Sequence, residues 1–135
     1  MGKKPPFDPY AAGLKAVEIL KAADGGAFTE ADILKKGITS VEIQELCKAG
    51  AIVVWRDNEN KEHFPKWQFT EQFKVMPGIQ KALDIFKSTD QWRIMAYFLG
   101  RRVSLGNKTP LKMLQMGLED QMLKHAQFHF EENTW

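Results

Sequence analysis

Apolar residues recur at three- and four-residue spacings along much of this chain, and the breaks in that rhythm divide it into segments. Leu14, Val17, Ile19 and Leu20 predict a first helix from Tyr10 to Ala23, which Gly25 and Gly26 interrupt. Asp8 and Pro9 prepare its start, at the end of a Lys- and Pro-rich arm over Met1 to Pro9 that is expected to be extended or flexible. Thr29 is a good N-cap, and Asp32 three places on can help neutralise unpaired amides, as Glu does in a capping box. The helix they open is short, with Ala31, Ile33 and Leu34 as its apolar set and Gly37 as its stop. Thr39 or Ser40 caps the next one, which Val41, Ile43, Leu46 and Cys47 carry to about Ala49 and Gly50 terminates. Two short helices joined by a tight glycine-containing turn make a helix-turn-helix candidate.

The rhythm then shortens. Ala51 to Arg56 is β-branched, Asp57 to Lys61 is a polar turn-forming cluster, and Glu62 to Phe69 is again strand-like, which together predict a β-hairpin. Pro65 cannot donate to a ladder, so it belongs on an edge or at a strand end. A helix-turn-helix followed by a hairpin suggests a winged-helix or excisionase-like arrangement.

From Pro77 the pattern is helical throughout. Ile79, Ala82, Leu83 and Phe86 form one stripe ending near Ser88; Asp90 or Thr89 caps a second helix on Trp92, Met95, Ala96 and Leu99, widened by Ile94 and Phe98. A turn at Leu105 to Lys108 leads to Thr109 as cap and Pro110 as first residue of a short helix through Gln115, ended by Gly117. A last helix from Glu119 to Phe130 carries Met122, Leu123, Ala126 and Phe130. The expected fold is mainly α, with an N-terminal helix-turn-helix and β-hairpin wing over 1–72 and a small C-terminal helical bundle over 73–135. The join falls near Phe69 to Met76.

A chain of 135 residues has room for one ordinary domain or two very small ones sharing a core. Charge narrows the function classes: Met1 to Lys74 carries 11 basic and 11 acidic residues and Val75 to Trp135 carries 8 and 6, so neither part is a polycation built for many phosphate contacts. The single cysteine, Cys47, forms no internal disulfide and suits a reducing compartment. Met1 to Phe7 has a positive start but no apolar stretch after it, and no run is long enough to span a membrane, so a cytoplasmic protein without membrane partners is expected.

Candidate chemistry is sparse. His125 and His129 share a helix face at a spacing some metal sites use, but no carboxylate lies between them in an HExxH pattern and His63 is remote, so no metal is assigned. Cys47 reads as an inert thiol on an apolar face. Glu119 and Asp120 meet a helix N-terminus, where capping explains them. No glycine-rich phosphate loop is present, and no catalytic residue or cofactor is assigned. If the helix from Thr39 to Ala49 entered a major groove, Ser40, Gln44 and Lys48 would approach bases and phosphates, with Lys35, Lys36, Arg56 and Lys61 on the backbone; Glu42 and Glu45 would repel phosphates unless they accept from cytosine amino groups.

The run Phe64-Pro65-Lys66-Trp67-Gln68-Phe69, followed by Pro77-Gly78-Ile79, Asp90-Gln91-Trp92, Phe98-Leu99, Leu105-Gly106-Asn107-Lys108-Thr109-Pro110 and Leu114 to Gly117, resembles the toxin-binding domain of Xre/MbcA/ParS-type antitoxins of bacterial RES-Xre toxin-antitoxin systems. That family has an FPxWQF-type strand, a PGL-type helix start, a helix with an early Trp, a Leu-Gly-Gly-x-Thr/Ser-Pro turn and a short helix ending in Gly. The order and spacing correspond from Phe64 to about Ala126. Each element also has a structural role: Phe64, Trp67 and Phe69 anchor the hairpin, Thr109 and Pro110 open a helix, and Gly106 and Gly117 permit tight turns. Two departures stand out. Asn107 replaces the second Gly, and Gln115 stands where the family commonly has Arg.

The resemblance implies an antitoxin, not an enzyme. Its partner would be a cognate RES-type toxin that consumes NAD, covered sterically, with operator DNA as a second partner when the operon is autoregulated. The assembly would be a homodimer or hetero-oligomer. The C-terminal segment, with Phe128, His129, Phe130 and Trp135, has the aromatic composition of an interface anchor; alternatively its aromatics fold back on the core. A DNA-binding, excisionase-like transcription regulator, or a phage or mobile-element binding protein of the same fold, are the competing readings.

Overall fold

The computed structural model describes residues 9–86 and 90–132, with side chains described for 13–86 and 90–130. The arm before Pro9, the helix end expected near Ser88, the alternative cap Thr89 and the terminal Trp135 lie outside these. The described elements are α1 (Pro9–Ala22), β1 (Ala27–Thr29), α2 (Glu30–Lys35), α3 (Ser40–Ala49), β2 (Trp55–Arg56), β3 (Glu62–Pro65), α4 (Pro77–Phe86), α5 (Gln91–Leu99), α6 (Pro110–Gln115) and α7 (Glu119–Glu132). The protein is mainly helical with one small antiparallel sheet.

Helix ends fall where local chemistry puts them. The Thr29 hydroxyl accepts from the Asp32 amide while the Asp32 carboxylate accepts from the Thr29 amide, a reciprocal capping box. Thr39, Asp90 and Thr109 cap α3, α5 and α6 through their side chains, and Pro110 occupies the first turn of α6. Gly106 and Asn107, at φ 67° and 63°, make consecutive left-handed residues in the turn before α6, so Asn107 meets the demand that a second Gly would.

The hairpin is shorter than expected and is joined by a third strand. β3 lies in the middle of the order β1-β3-β2, with Phe28 opposite Phe64 and Trp55 opposite His63. Pro65 ends β3, as its missing N–H requires. Strand structure does not extend over Ala51 to Val54 or over Lys66 to Phe69. Lys66 to Gln68 form a 3-10 turn. Ala51 to Val54 instead run as a partly buried loop whose backbone is held by glutamines: Gln68 brackets Val53, and Gln80 on α4 donates to the Ala51 carbonyl at 3.2 Å. Just beyond, the Arg56 amide donates to Gln91 on α5 at 3.1 Å. A β-branched run buried under side-chain amides satisfies its polar groups without a ladder.

One contiguous core runs through both expected parts, from Ile33 and Ile43 through Phe64, Trp67 and Ile79 to Met95, Phe98, Met122 and Ala126. The α4 stripe of Ile79, Ala82, Leu83 and Phe86 is buried as its spacing predicts. Gly78 is buried because a Cβ there would lie 2.4 Å from Leu114 Cδ2, so a glycine lets α4 start against α6. Elsewhere the stripes shift. On α5 Ala96 is exposed and Tyr97 is buried, because the seam with Phe86 and α7 receives the larger ring and gives its hydroxyl a partner. Leu34 and Val41 are exposed, and Ala31 is also outside the core: the short helices α2 and α3 bury a single row, Ile33 and Ile43; on α1, Leu14 and Ile19 are exposed as well. Phe73, a bulky residue at φ 60°, holds its left-handed conformation by stacking on Phe69 at 4.6 Å. Among the described residues no helix is long and apolar enough to cross a membrane.

Candidate functional site

Two surfaces carry the residues that the sequence singles out. The first is formed by α2, α3 and the β2–β3 hairpin. Its turn is organised by Asp57, whose Oδ1 accepts from the Glu59 and Lys61 amides while Oδ2 lies 2.9 Å from His63 Nε2. The His63 hydrogen bond and then the Lys61 amide hold this carboxyl below its ordinary range. The His63 ring stacks on Trp55 at 3.9 Å, and the Lys21 ammonium lies 4.9 Å from the Trp55 ring, tying α1 to the sheet.

Glu62 is the hub of this surface, and neither spacing nor composition marks it. One of its oxygens accepts from Gln44 at 3.2 Å, the other from Arg56 at 2.8 Å, and Cys47 Sγ lies 3.8 Å away. Ser40 donates its hydroxyl to Glu30 at 3.0 Å. Among the residues considered for DNA contact, Ser40, Gln44 and Arg56 therefore already serve carboxylates of the chain. Lys36 lies 5.9 Å from the Phe73 ring, and Lys35, Lys36 and Lys48 are exposed. Burial, reinforced by Glu62, pushes the Cys47 thiol up to about 11, so it is protonated at neutral pH.

The second surface is the outer face of α7 with the end of α5. The three aromatic or imidazole side chains of the expected anchor that lie in the described region have different roles. Phe130 is half-buried and packs on Phe86 at 4.0 Å and Tyr97 at 5.3 Å, so it fastens the helix to the core. Phe128 is 64% exposed and projects from the other side of the helix. His129 is half-buried, 5.2 Å from the Tyr97 ring and stacked on His125 at 6.0 Å. Beside them lies an open cleft of about 530 Å³ lined by Ser104, Gln121, Lys124, His125 and Phe128.

Tyr97 is the link that the sequence reading missed. Its hydroxyl lies 2.7 Å from His125 Nδ1, and burial keeps the phenol protonated. Burial is also the main cause that lowers both histidines below their ordinary value; His129 and Arg102 add to it at His125, and Arg102 and Arg93 at His129. With Nδ1 of His125 engaged, the pair offers a metal little, and no group of three or more His, Cys, Asp or Glu side chains among the described residues could hold one.

Family models, characterised proteins and solved structures were all compared with this chain, and none matches.

Proposed function

We propose that this chain is the antitoxin of a toxin-antitoxin pair, built on the plan of the Xre/MbcA/ParS toxin-binding domain, and that it silences a RES-type, NAD-consuming toxin by covering its cleft. The observation that carries this reading is that the motif residues, dispersed from Phe64 to Gly117, have linked roles in one packed unit. Phe64, Pro65, Trp67 and Gln68 are buried together, Gly78 clears Leu114, Thr109 and Pro110 open α6, and Gly106, Asn107 and Gly117 take left-handed turns. A shared set of sequence elements that also makes a coherent fold is stronger support than the elements singly. Against that frame α7 is a fastened helix presenting Phe128, the kind of rigid aromatic that anchors an interface.

Mixing the chain with the product of the adjacent gene tests this. A stable hetero-oligomer with suppressed NAD consumption is the expected result, and absence of a complex overturns the assignment.

A second activity, operator binding, is supported by the order α1-β1-α2-α3-β2-β3 and the strand order β1-β3-β2, an arrangement that would suit a winged helix. On that reading Lys35, Lys36 and Lys48 hold phosphates, while Gln44 and Arg56 remain with Glu62, giving affinity with little base reading. A mobility shift on the gene's own upstream DNA should be strongly salt-sensitive. A regulator of the excisionase type would show the shift without any toxin complex.

A further inference from the structure

The side-chain amides that hold the run from Ala51 to Val54 reach Ala51 and Val53 and pass over Ile52 and Val54, which make no hydrogen bond among the described residues. From Val53 onward alternate residues face inward: Gln68 brackets Val53, Trp55 stands opposite His63, and the Asp57 amide donates to the Lys61 carbonyl at 3.1 Å. Backbone groups of an antiparallel strand point to its two sides in turn, so Val54 and Arg56 direct theirs outward. The Arg56 amide shows the direction, donating to Gln91 on α5. β2 is an edge of the order β1-β3-β2, and beside its outer side lies a cleft of about 840 Å³ lined by Val54, Arg56 and Gln91 with Gly50 after α3, Leu83 on α4 and Ile94 on α5. The cations on its lining are answered within the chain, Arg56 by Glu62 and Lys81 by Glu119, both at 2.8 Å, while its acid, Asp84, is exposed to solvent.

We propose that this edge takes an extended, uncharged peptide segment of a partner protein as an added strand. The Val54 amide donates to a peptide carbonyl, the Val54 carbonyl accepts from a peptide amide, and an apolar peptide side chain rests on Leu83 and Ile94. An edge strand with unpaired main-chain groups is a template for another chain, and such recognition draws affinity from main-chain hydrogen bonds and specificity from the pockets under alternate side chains. With the lining cations already paired, an acidic segment gains little here, which selects an uncharged one. α4 and α5 wall the cleft, so a single extended chain fits beside Val54, whereas the edge of a second copy would bring its own neighbouring strand and helices against those walls. No residue of α7 lines the cleft, so this edge and the proposed toxin-covering face stand or fall separately.

The full chain, isotopically labelled, is titrated with a short blocked peptide of alternating threonine and valine, and its backbone amides are followed by NMR. The Val54 amide should shift saturably and exchange more slowly with solvent as it gains an acceptor. The same peptide methylated on alternate backbone nitrogens, so that the side meant for Val54 carries no donor, should bind about tenfold more weakly. Val54→Pro removes a donor that no described group of the fold uses, so the urea midpoint should stay near that of the parent while binding falls about tenfold. Gln91→Ala frees the Arg56 amide for the peptide and should tighten binding severalfold. No saturable shift, equal binding of the methylated peptide, or shifts that gather on Ala27 to Thr29 at the opposite sheet edge overturn the proposal. So does protection of the Val54 amide that rises with protein concentration alone, which would make the edge a contact between copies. Should Val54→Pro fail to fold, the methylated peptide decides.

Discussion

Gln68 and Val53 are joined by a closed pair of hydrogen bonds: the Gln68 carbonyl oxygen accepts from the Val53 amide at 2.7 Å, and its amide nitrogen donates to the Val53 carbonyl at 2.7 Å. Gln68 is fully buried, so it imitates a neighbouring strand for a residue that has none. Gln68→Leu leaves a buried donor and a buried acceptor unpaired, each costing about 1–3 kcal/mol. Urea unfolding should show a lower midpoint with an unchanged slope; a midpoint within error of the parent would show that the bracket is dispensable.

The close start of α4 against α6 predicts a specific coupling. Gly78→Ala pushes a methyl group into Leu114 and should destabilise by about 1–3 kcal/mol, the usual range for overpacking. Combined with Leu114→Ala, the two losses should sum to more than the double variant shows, because the second substitution makes room for the first. Additive losses in a thermal unfolding cycle would contradict the contact.

Phe128 and Phe130 should separate binding from stability. Phe128→Ala, on the exposed side of α7, is expected to leave unfolding almost unchanged and to weaken the proposed toxin complex by about 2 kcal/mol. Phe130→Ala removes the ring packed on Phe86 and should lower stability by about 2 kcal/mol. Calorimetric binding and denaturation on both variants give the comparison; a stability loss for Phe128→Ala matching that of Phe130→Ala would remove the distinction.

Acid should loosen the α5–α7 seam. His125 and His129 have folded-state values lowered by burial, so below about 6.5 the unfolded chain binds more protons than the folded one. Their contribution is present at neutral pH and is lost as pH falls from there through the folded values. His125→Gln with His129→Gln should flatten the fall of the unfolding temperature across that window. The acid limb that Asp57 adds lies lower, beneath the ordinary aspartate range, because its folded value is lowered as well. A slope unchanged by the double substitution would locate the acid sensitivity elsewhere.

Cys47 should alkylate slowly at pH 8, since a thiol near 11 is almost wholly protonated there. Glu62→Gln removes the neighbouring negative charge and should speed the reaction, while freeing Arg56 from its carboxylate. Iodoacetamide kinetics measured against pH distinguish the two proteins, and equal rates would mean that burial alone governs the thiol.

Features decided within about four residues were legible in the sequence. The caps at Thr29, Thr39, Asp90 and Thr109, the Pro77 and Pro110 helix starts, and the turn at Gly106 and Asn107 all follow from hydrogen bonds and φ limits local to the chain, and they stand where the pattern puts them. So does the α4 stripe, whose spacing alone predicts its buried face. Tertiary structure decided what depended on distant partners. The β-branched run at Ala51 to Val54 became a loop because Gln68 and Gln80 reach its backbone from elsewhere, and Ala27 to Thr29 became a strand because β3 offered an edge. Tyr97 turned inward for a histidine on α7, and Glu62 took Gln44 and Arg56 as hydrogen-bond partners. The physical reason is the same in each case: a side-chain polar group chooses among partners that only folding brings within reach, so residue type and spacing name the donors and acceptors without pairing them.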